Sequence, residues 1–210
     1  VAVAAMGLAT LIGPPDAVVE AKTGSDQPVV ATRIACPVDG GVPGSTDTIA
    51  ATALPVDVAP SVRTAAAAAG DVTAPITVTP LVPDKKEPTL IQVDARGPVT
   101  AANAPADAVL PWLVSAQGGL APALVAQQSS LAQSDERRGL ADAPCTAATS
   151  DAWFVGASGA VGTRARLVLN NTSGTSARVD VEGWDEKGPA STPAAEDRGV
   201  PARLTERIAR

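Results

Sequence analysis

The side chains that most often carry catalysis are scarce in this chain. It contains no His and only two Cys. The lack of His removes the Ser-His-Asp and Cys-His nucleophile systems, the commonest general base and every His-liganded metal site. Two Cys without His also fall short of the usual ligand set of a structural zinc site. We therefore expect a protein that is not an enzyme, and we predict neither a metal nor a cofactor.

One pair of carboxylates has a spacing that acid–base chemistry could use. Asp180 and Glu182 lie two residues apart in a predicted strand, which places both on one face. Such pairs hydrolyse glycosidic bonds when their separation is about 5–9.5 Å and their environments differ. Arg164, Arg166 and Arg178 are predicted alongside them and favour a solvated, ion-paired sheet face. A hydrolase whose catalytic groups are carboxylates alone is the alternative.

The two cysteines, Cys36 and Cys145, offer a covalent crosslink. In an exported chain, two cysteines favour one disulfide. Linking them would close a loop of about 110 residues and stabilise the fold by roughly 4–5 kcal/mol in chain-entropy models. We expect this bridge. Two separate buried thiols, or pairing with cysteines beyond the ends of the chain, are the alternatives.

Aromatic side chains make up only 2% of the chain. Its three tryptophans could form a sugar-stacking platform, and Trp112 and Trp184 are the candidates for glycan stacking. With so few aromatic residues, at least two of the tryptophans are expected to anchor the core instead. Trp153 lies beside Phe154, so in a strand one of these two side chains would point to each face.

Proline and glycine occur throughout the chain and indicate short secondary-structure elements. Nineteen Pro and eighteen Gly disfavour long helices. We predict an all-β fold, an antiparallel β-sandwich of the Ig-like or fibronectin-like kind, as one sandwich or two small ones. Residues 61–69 favour a short helix or a loop, and residues 127–140 favour one or two helical turns or a linker. The predicted strands cover residues 29–36, 47–54, 71–80, 89–95, 109–116, 123–128, 151–156, 164–170 and 177–184.

Two strand pairings follow from the turn residues. Gly118-Gly119 predicts a β-hairpin between the strands before and after it. The turn formers at residues 171–175 predict a second hairpin, with Val168 opposite Asp180. That register sets three further pairs: Arg166 opposite Glu182, Arg164 opposite Trp184, and Asn170 opposite Arg178.

The N-terminal residues 1–13 form an uncharged apolar run. Its length is short of the roughly 20 residues that a bilayer crossing needs, and it suits a signal-peptide core or the end of a membrane anchor. Pro14-Pro15 stops the run, and a polar stretch follows. A buried N-terminal helix or strand is the alternative. The expected organisation is a truncated hydrophobic helix that serves as signal or anchor (1–15), a linker (16–27), a first β-rich domain (28–135) and a second, incomplete one (136–210).

The net charge of −6 and the isoelectric point of about 4.6 argue against one class of partner. Phosphate backbones are bound by clustered Lys and Arg, whereas the basic residues here are scattered. We therefore expect no nucleic-acid partner.

Three short motifs follow one another in a recognisable order. They are residues 139–145 (GLADAPC), residues 153–156 (WFVG) and residues 167–171 (LVLNN). Their order, a C-x-A motif and then W-F-x-G, resembles an actinobacterial family of membrane-anchored or secreted proteins of unknown function. The resemblance implies export, anchoring and a β-sandwich, and it implies no activity and no site residues.

These observations point to an extracytoplasmic protein, membrane-anchored or secreted, with a structural or interaction role in the cell envelope. The expected partners are an envelope protein or polysaccharide, and the membrane through the N-terminal segment. The alternative is a cell-wall glycan-binding module that uses an exposed Trp.

Overall fold

The structure is a computed structural model, which describes residues 28–37, 45–81, 89–104, 111–133, 138–156, 166–190, 198–200 and 205–209. Within these ranges the chain forms fifteen strands and one α-helix, and every strand pair is antiparallel. The predicted all-β class is confirmed. The predicted N-terminal helix and linker lie outside the described residues.

Nine strands form two sheets that share one core. The strands are β1 (Ala31–Ala35), β2 (Ser45–Ala53), β3 (Ile76–Pro80), β4 (Ile91–Val93), β5 (Thr100–Asn103), β6 (Trp112–Gln117), β7 (Leu124–Ala132), β8 (Gly139–Pro144) and β9 (Thr146–Ala147). One sheet has five strands in the order β4-β3-β6-β1-β9, and the other has four in the order β5-β2-β7-β8. Side chains that alternate along these strands fill the space between the sheets, so the pair is an antiparallel sandwich.

Small side chains supply much of the core. Ile49, Ile76 and Val114 are fully buried, and alanines line the strands around them. Trp112 is the aromatic member of this core cluster, as its 3% exposure indicates. Because each alanine buries little area, this one indole contributes a large share of the buried apolar surface.

A change of sheet occurs between β8 and β9. β8 pairs with β7 in the four-stranded sheet, and β9 pairs with β1 in the five-stranded sheet. Cys145 lies at the crossing, and its amide donates a hydrogen bond to the carbonyl of Ala126. Residues 139–147 therefore belong to the sandwich. The predicted domain boundary between residues 135 and 136 lies between β7 and β8, which pair in the four-stranded sheet, and the division into domains stays a prediction.

The predicted hairpin at Gly118-Gly119 is wrong, because the strands on either side belong to different sheets. β6 pairs with β1 and β3, whereas β7 pairs with β2 and β8. A short 3-10 turn at Gly118–Leu120 carries the chain across the sandwich. Gly118 has a φ of 54°, and a Cβ at either glycine would collide with the backbone carbonyl of Gly70 or Asp71. The glycines are needed for this close crossing.

The alanine-rich segment forms the helix α1 (Pro60–Ala69), as one of the two interpretations of residues 61–69 predicted. Pro60 occupies the first turn, where its missing N–H has no helical partner to lose. The polar segment 127–140 differs from its prediction, since it continues β7 to Ala132 and begins β8 at Gly139. Its polar side chains suit strands with one solvated face.

The remaining strands form a nested two-stranded ribbon. They are β10 (Arg166–Asn170), β11 (Ala177–Val179), β12 (Gly183–Asp185), β13 (Gly188–Ala190), β14 (Arg198–Val200) and β15 (Thr205–Ala209). β10 pairs with β15, β11 with β14 and β12 with β13, so the chain runs out along one side and returns along the other. Within the described ranges, no strand of the ribbon pairs with a strand of the sandwich.

The predicted register of Val168 opposite Asp180 is therefore wrong. Val168 faces Arg207, and Asn170 faces Thr205. The turn formers at 171–175 make a loop on one side of the ribbon, where the side chain of Asn171 accepts and donates local hydrogen bonds. The chain reverses later, at residues 186–187. Turn-forming composition alone did not distinguish a reversal from a lateral loop.

No helix in the described part of the chain has the length and apolarity to cross a membrane.

Candidate interaction surface

The structure confirms the predicted disulfide between Cys36 and Cys145. Both residues are buried in the core cluster of the sandwich. The amide of Cys36 donates to the carbonyl of Trp112 in the five-stranded sheet. The amide of Cys145 bonds to β7 in the other sheet. The bond therefore joins the two layers of the sandwich from the inside.

Trp112 is a core residue, which removes it from the glycan-stacking candidates. Its side chain is 3% exposed, and it lies at the start of β6, opposite Pro80 of β3. A sugar ring must reach one face of an indole to stack on it, and this indole is enclosed by the sandwich. The expectation that at least two tryptophans anchor the core is also wrong, since Trp153 and Trp184 are both exposed.

Trp184 keeps its place as a candidate, because it is 59% exposed near the tip of the ribbon. It pairs across the ribbon with Pro189, next to the turn that joins β12 to β13. In that turn the carboxylate of Asp185 accepts a hydrogen bond of 2.8 Å from the amide of Lys187. Gly188 follows with a φ of 115°, which a residue with a side chain would adopt only under strain. The turn thus fixes the place of the indole.

The carboxylates of Asp180 and Glu182 lie on one exposed face of the ribbon, together with Arg178. Val179 and Val181 between them are half-buried, so the predicted alternation holds along this segment. The predicted partners across the ribbon do not hold. Arg178 lies opposite Gly199, Arg166 lies opposite Ala209, and Arg164 is outside the described residues. An open, solvated face does not provide the contrasting environments that a pair of catalytic carboxylates requires.

Residues 153–155, here called the aromatic segment, differ most from their prediction. The exposed fractions are 79% for Trp153, 74% for Phe154 and 99% for Val155. Residues 151–156 were predicted as a strand with one aromatic side chain on each face, and the structure assigns no strand there. In the part of the chain that the structure describes, no strand pairs with this segment, and both aromatic side chains are exposed to solvent.

A local turn precedes the aromatic segment. The hydroxyl of Thr149 donates a hydrogen bond of 2.6 Å to the carbonyl of Asp151, and it accepts one of 3.3 Å from the amide of Asp151. Large apolar side chains placed together in solvent commonly mark a surface that contacts a partner or a membrane. Sequence reasoning missed this surface, although three consecutive large apolar residues break the alternation of a half-buried strand.

The chain enters the sandwich at the end that is here called the entry end. The amide of Gly118 donates to the carbonyl of Val30, just before β1 begins. β1 runs away from this end. β9 pairs with the last two residues of β1 in antiparallel fashion, with Ile34 opposite Ala147, so it lies toward the end of β1 that is away from Val30. The residues that lead to the aromatic segment follow directly from β9.

Arg96 holds the loops of the entry end together. Its guanidinium donates three hydrogen bonds of 2.7–2.8 Å, to the backbone carbonyls of Gly119, Leu54 and Pro122. Burial lowers the pKa of the Arg96 guanidinium from its ordinary value. The planar fork of donors suits this task, which an ammonium group would serve less well.

Sequence reasoning did not find Arg96. The short turn around it gave no sign that an arginine there would reach three carbonyls, because these partners are 23 to 42 residues away in the chain. Leu54 is further held by a hydrogen bond from its amide to the carbonyl of Ala123, and the Gly97 amide bonds to Ala53. These hydrogen bonds therefore hold the loops of the entry end in fixed positions relative to one another.

The described residues contain no group of three or more His, Cys, Asp or Glu side chains arranged to hold a metal ion.

The fold and the exposed aromatic residues define a class of protein: a disulfide-closed antiparallel sandwich that carries a β-ribbon. Residues 99–209 match the model of a family of unknown function, DUF5719. The match covers more than half of the 210 residues, so the chain belongs to this family. No curated protein and no solved structure gave a match.

The family match begins just before β5 and covers β5 to β9 of the sandwich and all the strands of the ribbon. β2, which lies outside the match, pairs with β5 and β7 inside it. Cys36 also lies outside, and its disulfide partner Cys145 lies inside. The folded unit therefore begins well before the segment that the family model covers.

Proposed function

We propose that this chain is a non-catalytic, extracytoplasmic module of the cell envelope with a structural or interaction role. In this proposal the N-terminal segment holds it at the membrane, and the sandwich and ribbon present exposed aromatic residues to the envelope. The observation that carries the proposal is the combination of a disulfide-closed core with Trp153, Phe154 and Trp184 left in solvent. Exposed aromatic residues on a stable scaffold are typical of interaction surfaces.

The disulfide supports the extracytoplasmic part of the proposal. Disulfides form and persist outside the reducing cytosol. The Cys36–Cys145 bond lies inside the core, where exchange with small thiols is hindered, as expected of a structural bond rather than a redox switch.

The sequence supports the rest of the proposal. The apolar run at residues 1–13 suits a signal or an anchor, and the motif order resembles an actinobacterial membrane-anchored or secreted family. The lack of His removes the commonest catalytic base.

The location can be tested by expressing the full-length protein in an actinobacterial host. The proposal expects the chain to fractionate with the envelope, to be cut by protease added to intact cells, and to yield a Cys36–Cys145 peptide under non-reducing conditions. Recovery in the cytosol with both thiols free would overturn it.

Cell-wall glycan binding is the second candidate, and the position of Trp184 favours it. This indole is exposed at the tip of the ribbon, where one face can meet a sugar ring. Purified protein should then sediment with cell-wall polysaccharide, and Trp184→Ala should abolish this binding. Trp153→Ala is the matched control, because it also removes an exposed indole. Equal binding by both variants and the parent protein would reject Trp184 as the contact.

A further inference from the structure

We propose that the aromatic segment, residues 153–155, is a processing site at which a protease separates the ribbon from the sandwich. The protease belongs to the class whose primary pocket accepts an aromatic side chain, and it hydrolyses the peptide bond after Trp153 or after Phe154. Water supplies the hydroxyl of the new carboxyl group and the proton of the new amino group. The step therefore needs no cofactor, and it is independent of the location and the partners proposed above.

The backbone around the segment is open to another protein. Residues 146–156 are all exposed, and the structure assigns neither a helix nor a strand to residues 148–156. A protease binds its substrate as an extended chain, and exposed stretches outside regular structure are the preferred sites of cleavage. This stretch can take the extended form without the opening of a sheet or a helix.

The side chains of the segment suit an apolar primary pocket. Trp153 and Phe154 are exposed by 79% and 74%, so either ring can enter a pocket on a second protein. Val155 is 99% exposed, which leaves the residue after the bond equally open. The chain has three Trp, one Phe and no Tyr, so few of its peptide bonds meet this specificity.

The other two tryptophans show why this place is favoured. Trp112 is buried in the sandwich and is reached only when the core unfolds. Trp184 is exposed, but it lies in β12, where it faces Pro189 of β13 across the strand pair. These strands must separate before the bond after Trp184 fits a protease, so cleavage there is slowed by the fraction of time that the pair is open. An exposed aromatic ring and an unpaired backbone coincide at residues 153–154.

The position of the site determines what the cut does. Cys36 and Cys145, the two cysteines of the chain, both precede it, so no disulfide holds residues 155–210 to the sandwich afterwards. Each described strand of the ribbon pairs with another strand of the ribbon, so the cut removes no partner from them. Cleavage therefore divides the chain into the disulfide-closed sandwich and a ribbon that carries Trp184.

Limited digestion of the folded, full-length protein with chymotrypsin tests the site. Mass spectrometry should show the bonds after Trp153 and Phe154 cut at least about tenfold faster than the bond after Trp184. The double variant Trp153→Ser/Phe154→Ser should lose this cut, and Trp184→Ser, the matched control, should keep it. Near-ultraviolet circular dichroism, through the buried Trp112, shows that both variants are folded. An earlier cut after Trp112 or Trp184 would overturn the proposal, as would resistance of the bonds after Trp153 and Phe154.

Expression in an actinobacterial host tests the processing itself. The full-length protein with a C-terminal tag should yield a tagged fragment that begins at Phe154 or Val155, and the double Ser variant should remain intact. Recovery of the parent protein uncut, or the same fragment from the double variant, would overturn the proposal. Size-exclusion chromatography of the cut protein tests the release, which requires the two fragments to elute separately; elution as one species would contradict it.

Discussion

The sandwich and the ribbon are stabilised in different ways. In the sandwich, two sheets of five and four strands enclose aliphatic side chains and one indole, and a disulfide joins the layers. Among the described residues of the ribbon, each strand pairs with one other strand. A two-stranded ribbon buries little surface and is marginal in water by itself. The contrast indicates that the larger core lies in the sandwich, whereas the buried residues in the described part of the ribbon are Val200 and Asn171.

Asn171 shows how those polar contacts work. Its side-chain amide donates hydrogen bonds of 2.7 Å to the carbonyl of Thr175 and 3.0 Å to that of Val200 on the returning strand. Its carbonyl oxygen accepts from the amide of Ser173. Asn171 thereby joins the lateral loop to both sides of the ribbon.

The largest effect is expected from removing the disulfide. Replacing Cys36 and Cys145 together by Ser should lower the free energy of unfolding by about 4–5 kcal/mol, because the unfolded chain regains the freedom of a closed loop of 109 residues. Urea denaturation followed by circular dichroism measures the loss. A double variant as stable as the parent would show that the bond does not hold the sandwich.

A matched pair of tryptophan variants compares the two regions directly. Trp112→Ala should cost about 3–5 kcal/mol, because it leaves a cavity in a core with few large side chains. Trp184→Ala should change the free energy of unfolding by less than about 0.5 kcal/mol, as expected for an exposed position. Denaturant midpoints of the two proteins measure both, and similar losses would contradict the division between the regions.

Arg96 tests the entry end of the sandwich. Arg96→Ala leaves three carbonyls without their donor and should cost about 1–3 kcal/mol. Arg96→Lys keeps a charge but cannot reproduce the planar fork, so it should recover only part of the loss. Thermal unfolding of the two variants measures the difference. Full stability in Arg96→Lys would mean that the charge matters and the geometry does not.

A smaller loss than that of Arg96→Ala is expected from Asn171→Ala in the ribbon. Asn171→Ala should lower local stability by about 1–2 kcal/mol through the loss of its hydrogen bonds to Thr175 and Val200. Faster amide hydrogen exchange is expected in β10 to β14, with unchanged exchange in β2 and β7. A matched shift in the sandwich strands would show that the ribbon is coupled to the core.

The sequence was a good guide wherever burial and local pattern agree. Alternation around Ile76 and Val78 predicted a strand of the sandwich, and the cysteine count predicted the disulfide. Alanine content predicted α1 as one of two alternatives. These features depend on periodicity and composition, which a single sequence displays.

It was a poor guide wherever pairing is long-range. Gly118-Gly119 has the composition of a hairpin turn but crosses between sheets, and the loop after Asn170 resembles a reversal that comes sixteen residues later. Trp153 and Phe154 are exposed in a stretch to which the structure assigns no strand, and the local pattern did not reveal this. The three carbonyl partners of Arg96 meet only in the folded chain.

Native-state hydrogen exchange on the full-length protein tests the division of the molecule most directly. Amides of β2, β6 and β7 are expected to exchange only through global unfolding, and amides of β11 to β14 through local opening at a much lower free energy. Loss of the disulfide should bring the sandwich values down and leave the ribbon values unchanged. Ribbon amides that exchange with the same free energy as the sandwich amides, and fall with them on reduction, would contradict it.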